Sequence, residues 1–105
     1  MQTDVTFSTR AAASGATTTV QILSTQFSGA DVEVDLIAAN RFETHWLATL
    51  PITVAPNGEG SVEFQVPTVS NETVMWPAAI RFGGSVMRPA TKSLLRNRRG
   101  SARRA

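Results

Sequence analysis

The sequence predicts an all-β protein built as a two-sheet antiparallel sandwich with a basic C-terminal tail. Two observations indicate this fold class. Apolar and polar side chains alternate with a period of two in several short segments, as strands with one buried and one solvated face require. Glycine, proline and asparagine residues separate these segments, and no segment has the period of a long amphipathic helix. A chain of 105 residues has room for one such core.

The first half of the chain supplies three predicted strands. Val5 and Phe7 mark the first, and Val20 with Ile22 marks the second, with an Ala/Ser/Gly-rich loop at 11–16 between them. The third is the clearest, because three apolar residues alternate with three acidic ones in ADVEVDLIA (30–38). Each of these strands is expected to bury one face against the core.

A hairpin is predicted in the middle of the chain. Ile52 and Val54 end one strand, and GSVEFQVP (60–67) forms the next, with three apolar residues on one face. The Asn57-Gly58 pair between them is suited to the positive φ angles of a tight turn. The two strands are therefore expected to be neighbours in one sheet.

Two further strands contain the tryptophans. In FETHWLATLP (42–51) and MWPAAIRF (75–82), alternate apolar residues beginning at Trp46 and Trp76 are expected to share one face. Pro77 places the second of these strands at a sheet edge or at a bulge, because proline lacks the N–H of a ladder hydrogen bond. Both tryptophans are interpreted as core residues; if exposed, they would form a platform for sugars.

Three segments together resemble a known class of domain. TTTVQILSTQFSGADVEVDLIAAN, LPITVAPNGEGSVEFQVP and WPAAIRFGG, within residues 17–84, are similar to the small immunoglobulin-like domains of bacterial surface proteins and phage virions. The chain has no tyrosine and no cysteine, so neither a tyrosine corner nor a disulfide between the sheets is expected. The resemblance implies an immunoglobulin-like sandwich.

Charge divides the chain into two parts. Residues 1–87, the predicted sandwich, contain three basic and eight acidic residues, a net charge of −5. Residues 88–105 form a predicted arm, extended or short-helical, with a net charge of +7. Its basic residues are Arg88, Lys92, Arg96, Arg98, Arg99, Arg103 and Arg104. An acidic body repels nucleic acid, so any binding of a polyanion is expected to depend on the arm.

The partner of the arm is open at this stage. Arginine suits carboxylates on a protein surface as well as phosphates, and the arm has no aromatic residue for base stacking. A membrane partner is not expected, because Leu94 and Leu95 are the only large apolar residues nearby. Asp31, Glu33 and Asp35 form a predicted negative ladder on one strand face. The ladder is a solvated face, a surface for the arm of another copy or of a neighbouring protein, or a calcium site.

Catalysis and cofactor binding are not expected. The single histidine, His45, lacks a nearby nucleophile motif, and a chain without cysteine cannot build a closed thiolate metal site. No catalytic residue, metal ligand or cofactor is therefore predicted. The N-terminus has no positively charged start followed by an apolar run, so secretion by a signal peptide is not expected.

The resemblance and the charge pattern together predict a non-enzymatic structural protein. The expected role is that of a virion accessory subunit, a capsid decoration or cement protein made in the host cytoplasm, whose sandwich and arm bind a lattice of coat proteins. Its partners would be capsid or other virion proteins and other copies of itself. Two alternatives remain: a ribosomal or packaging protein whose arm binds nucleic acid, and a sugar-binding or adhesin module that uses the tryptophans.

Overall fold

The computed structural model of the protein describes residues 3–90 and 92–98, and all regular secondary structure in these ranges is β-strand. The strands are β1 (Thr3–Phe7), β2 (Ala11–Ala12), β3 (Thr17–Ser24), β4 (Asp31–Ala39), β5 (Thr44–Thr53), β6 (Glu59–Gln65), β7 (Val74–Phe82), β8 (Ser85–Met87) and β9 (Leu95–Asn97). They form one sheet of three strands and one of six. The predicted all-β class with two sheets is confirmed.

The smaller sheet has the order β1-β3-β6, and both of its pairings are antiparallel. Buried and exposed residues alternate along its strands as the apolar and polar residues alternate in the sequence. Val5, Val20 and Ile22 are fully buried, whereas Gln21, between the last two, is exposed. One face of this sheet is therefore apolar and covers the core.

The larger sheet has the order β2-β9-β7-β4-β5, with β8 paired to the end of β7. Its pairings are antiparallel except that β2 runs parallel to β9. Val34, Leu36 and Ile80 on its inner face have no exposed surface. The core lies between this face and the apolar face of the smaller sheet, since burial of apolar surface is what holds two sheets together.

The predicted hairpin between β5 and β6 is wrong. The two strands lie in different sheets, β5 beside β4 and β6 beside β3. The turn itself is present, because Gly58 has a φ of 91° and its N–H donates to the carbonyl of Ala55 at 2.8 Å. The N–H of Val54 donates to the carbonyl of Ala30, just before β4, and the N–H of Ser24, at the end of β3, donates to the carbonyl of Gly58. The segment that connects β5 to β6 is therefore hydrogen-bonded on the side of each sheet.

Pro77 lies at a β-bulge in the interior of the larger sheet. Strand β7 has β4 on one side and β8 and β9 on the other. Its register with β4 shifts between Asp35 and Leu36, which pair with Ala79 and Pro77, so Ala78 has no partner on β4. The bulge accommodates a residue without an N–H, as predicted. On the other side of β7, β9 pairs with Val74 and Met75 and β8 pairs with residues 80–82, so within the described residues no strand pairs with Pro77 on that side.

The segment expected to form a separate arm begins inside the sandwich. Strand β9 contributes Leu95, which is fully buried, and Asn97, which is 2% exposed. The amide of Asn97 donates to the carbonyls of Val69 and Ser70 at 3.0 and 2.7 Å. The sandwich thus extends past residue 87 to at least Asn97, which corrects the boundary expected from the sequence. Residues 92–98 are extended rather than helical, and the end of the arm, 99–105, lies outside the described residues.

Candidate interaction surfaces

The only histidine of the sequence lies on the surface of the protein. His45 is exposed, and its Nδ1 is 3.6 Å from Oε1 of Glu43. In residues 3–90 and 92–98, no hydroxyl group hydrogen-bonds to His45, and no group of three His, Cys, Asp or Glu residues is placed to hold a metal ion. The same residues include no helix long and apolar enough to cross a membrane.

The predicted acidic ladder is reduced to two exposed carboxylates. Asp31 and Glu33 are exposed on the outer face of β4, but Asp35 is only 6% exposed. Nε of Arg81 donates to Oδ2 of Asp35 at 2.7 Å, and the hydroxyl of Thr49 donates to Oδ1 at 2.8 Å. Since its charge is paired within the chain, Asp35 is not part of an acidic surface open to a partner.

Both tryptophans lie on the outer face of the larger sheet rather than in the core. Ile37 on β4 pairs with Trp46 on β5 and with Trp76 on β7, so the three side chains form a row across three strands. A bulge explains the error in the prediction. The pairing of Ile37 with Trp46 is followed by that of Leu36 with Ala48, so Leu47 is extra and Trp46 is turned to the outer face.

Hydrogen bonds orient the indole of Trp46. Its Nε1 donates to the hydroxyl of Thr49 at 3.2 Å, and Thr49 donates in turn to Asp35, which Arg81 also holds. The tryptophan remains 62% exposed. This network restrains a large aromatic side chain on a rigid sheet while leaving most of its surface open to solvent, which lowers the entropy that a binding partner would have to remove.

Trp76 is covered in part by a basic side chain. Nζ of Lys92 lies 5.1 Å from the centre of the Trp76 ring, within the range of a cation–π contact. Arg88 and Pro89 line the adjacent surface depression. A sugar ring stacked on Trp76 would have to displace Lys92, so the two indoles do not offer two equivalent open faces.

A basic groove lies at the edge of the sandwich, between the end of β1 and the start of β9. It is lined by Thr6, Phe7, Thr9, Arg10, Lys92, Ser93, Leu94 and Arg96, with a volume of about 460 Å³. The lining contains three basic residues and three residues with hydroxyl groups, and no Asp or Glu among the described residues contributes to it. The N–H of Arg96 donates to the carbonyl of Arg10 at 2.8 Å, which holds the two segments together.

The sequence did not assign Arg10 to the same site as Lys92 and Arg96. More than eighty residues separate Arg10 from Lys92, and only the docking of β9 beside β2 brings them together. Of the other predicted arm residues, Arg88 and Arg98 are exposed, while Arg99, Arg103 and Arg104 lie outside the described residues. Nothing in the sequence around Arg10, which precedes a short Ala/Ser/Gly-rich segment, indicates that it lies beside Lys92 and Arg96.

Comparisons with known proteins assign no family to this chain. No family model matches it, and no curated protein matches it. Two surfaces of the protein are candidates for binding a partner: the aromatic row Trp46–Ile37–Trp76 and the basic groove.

Proposed function

We propose that the protein is an immunoglobulin-like, non-enzymatic structural subunit that decorates a virion by docking the outer face of its larger sheet on a lattice of coat proteins. Trp46 is the principal contact residue of that face. The role is the one expected from the sequence, in which the sandwich and the arm both bind the lattice, and the outer face of the larger sheet is now the main contact of the sandwich.

The order of the strands supports an immunoglobulin-like fold. In such sandwiches, strands A, B and E lie in one sheet and strands C, F and G in the other. The order β1-β3-β6 corresponds to A, B and E, and the run β4-β7-β9 corresponds to C, F and G. The split of the N-terminal segment between the two sheets, as β1 and β2, is consistent with this assignment.

The exposure of Trp46 is the observation on which the functional proposal rests. Large apolar side chains on the surface of a protein mark contact sites when they form a patch, and tryptophan is enriched among residues that dominate binding energy. Trp46 is 62% exposed and lies in one row with Ile37 and Trp76. Phe42, which precedes β5, is 85% exposed. A restrained aromatic row suits a flat protein surface.

Docking on a lattice does not require a strong single contact. Copies of the subunit would occupy repeated sites, and coat proteins that present linked sites raise the effective concentration of each contact. A row of three apolar side chains with polar surroundings is compatible with contacts of modest individual strength. The immunoglobulin-like resemblance supplies the virion as the setting of the proposal, by analogy of fold.

The test uses the 105-residue protein and emptied heads of the phage whose genome encodes it. Bound protein is measured by co-sedimentation over a range of concentrations. We expect saturable binding, and we expect Trp46→Ala to weaken it at least about 30-fold, the effect of a loss of roughly 2 kcal/mol at a central contact residue. Leu23→Ala is the matched control, because Leu23 is 55% exposed on the opposite face, in the smaller sheet.

Two outcomes would count against the proposal. Absence of saturable binding to the heads would remove the coat lattice as the partner. Equal weakening by Trp46→Ala and Leu23→Ala would remove the outer face as the contact surface. Release of bound protein by soluble glycans, with loss of glycan binding in Trp46→Ala, would favour the sugar-binding alternative instead.

A further inference from the structure

The basic groove differs from the rest of the surface in the pairing of its charges. The other two arginines of the body have carboxylate partners: Arg81 contacts Asp35 at 2.7 Å, and Arg41 contacts Glu72 at 3.7 Å. Arg10, Lys92 and Arg96 have no carboxylate oxygen within 4.0 Å in residues 3–90 and 92–98. Three such cations around one groove attract an oxyanion from outside the chain.

The lining of the groove also supplies neutral donors. Three residues with hydroxyl groups, Thr6, Thr9 and Ser93, line the groove together with the cations. Phosphate contacts in complexes with nucleic acids come from arginine, lysine, serine and threonine side chains together with backbone N–H groups. The groove therefore offers the donor types that bind phosphodiester oxygens, on two chain segments held by the bond from Arg96 to Arg10.

An aromatic surface adjoins these cations. Lys92 links the groove to Trp76, since it is one of the residues that line the groove and its ammonium group lies over the indole. Proteins that bind single strands combine a positive groove along the backbone with aromatic side chains on which bases stack. The sequence showed no aromatic residue among the basic residues of the arm; the fold places one beside them.

We propose that the groove binds the phosphodiester backbone of single-stranded nucleic acid, with a base stacked at Trp76. Arg10 and Arg96 contact phosphates, and Lys92 moves from the indole to a phosphate when a base occupies the ring. Arg98 follows β9 directly and is exposed, so it can neutralise a further phosphate. An acidic protein surface could pair with the cations of the groove, but it would supply no base to stack on Trp76.

This inference is independent of the proposed docking on coat proteins. The two surfaces share Trp76, but the cations of the groove lie at the edge of the sandwich between β1 and β9, whereas the principal docking residue is Trp46 on β5. Binding to nucleic acid is measured without particles, and binding to emptied heads is measured without nucleic acid. Failure of one experiment therefore leaves the other unaffected.

The test measures binding of the full chain to a fluorescent oligothymidylate of about twenty nucleotides at several salt concentrations. For single strands, the slope of log K against log salt is about −0.7 for each neutralised phosphate. We expect Arg10→Gln and Arg96→Gln each to make the slope less steep by about 0.7. Arg41→Gln is the matched control and is expected to leave the slope unchanged, because that arginine lies elsewhere and is paired with Glu72. Thermal unfolding of each variant verifies that the fold is retained.

A second set of measurements distinguishes single-stranded nucleic acid from other polyanions. An abasic oligonucleotide has the same phosphates without bases, and we expect it to bind at least about fivefold more weakly than oligothymidylate, since stacking of one base contributes that much. Unchanged slopes for Arg10→Gln and Arg96→Gln would overturn the groove as the site. Equal affinity for the abasic strand, for polyglutamate or for duplex DNA of the same length would overturn the assignment to single-stranded nucleic acid.

Discussion

The carboxylate of Asp35 is held by two donors on the outer face of the larger sheet. Its side chain is 9% exposed, whereas the side chain of Arg81 is 51% exposed. The pair is therefore asymmetric, with a desolvated anion and a partly solvated cation. Removal of one partner from such a pair costs more than the pair itself contributes, because the remaining buried charge loses its compensation.

Replacement of Arg81 by methionine tests this asymmetry. Among the residues that the structure describes, Arg81→Met leaves Asp35 with the hydroxyl of Thr49 as its only side-chain donor. We expect the free energy of unfolding to fall by roughly 1–3 kcal/mol, the cost of an unsatisfied buried polar group. Urea unfolding followed by tryptophan fluorescence measures the change.

Arg41→Met serves as the control for Arg81→Met. Arg41 and Glu72 form a longer pair of 3.7 Å, and their side chains are 68% and 64% exposed. Exposed pairs contribute about 0–1 kcal/mol, so the control is expected to change stability very little. Equal destabilisation by the two variants would show that Asp35 is solvated like a surface carboxylate.

At the scale of the strand, period-two alternation was a reliable guide to what lies in the core. The segments around Val20, Val34 and Phe64 were predicted as strands with these residues facing inward, and all three are buried. Such patterns depend on local sequence alone, because each second residue meets the same environment.

Register shifts and sheet assignment were not predictable in the same way. Leu47 is an extra residue in the pairing of β5 with β4, and it turns Trp46 to the opposite face. Nothing in the sequence FETHWLATLP indicates where this bulge lies. Strand β9 was missed because it is only three residues long and one of its two buried residues, Asn97, is polar, so no apolar alternation marks it. Its place is determined by partners in β2 and β7, which are distant in sequence.

Gly60 lies where the chain has just crossed from the larger sheet to the smaller. A Cβ atom at this position would lie 2.6 Å from the carbonyl oxygen of Thr53 and 2.8 Å from Cγ2 of Ile52. The backbones of β5 and β6 therefore approach too closely for any side chain. We expect Gly60→Ala to lower the free energy of unfolding by roughly 1–3 kcal/mol, the usual cost of overpacking, as measured by urea unfolding.

Gly84→Ala provides a matched control for that measurement. No atom lies within 4 Å of a Cβ built on Gly84, and its φ is not in the left-handed region. An alanine there also reduces the entropy of the unfolded chain, so stability is expected to be unchanged or slightly higher. If Gly60→Ala and Gly84→Ala unfold at the same urea concentration, β5 and β6 do not approach as described.

At the scale of the whole molecule, the C-terminal segment joins the core to the basic surface. Leu95 and Asn97 point into the sandwich, while Arg96 between them is exposed and lines the groove. Because alternate residues of β9 face opposite sides, the same strand buries Leu95 and Asn97 in the sandwich and places the charge of Arg96 on the surface. The cations of the groove are held by a strand of the sandwich, so a partner does not have to order that part of the chain on binding.

Two truncations test whether β9 belongs to the cooperative core. A chain ending at residue 98 keeps every contact within residues 3–90 and 92–98, whereas a chain ending at 94 loses the burial of Leu95 and the hydrogen bonds of Asn97. Burial of a leucine contributes about 1.5–3 kcal/mol and each hydrogen bond about 1 kcal/mol. Because small domains have only about 5–15 kcal/mol in total, we expect the shorter chain to unfold at a much lower urea concentration than the longer one. Equal midpoints would place the end of the folded unit before β9, at the boundary that the charge pattern alone suggested.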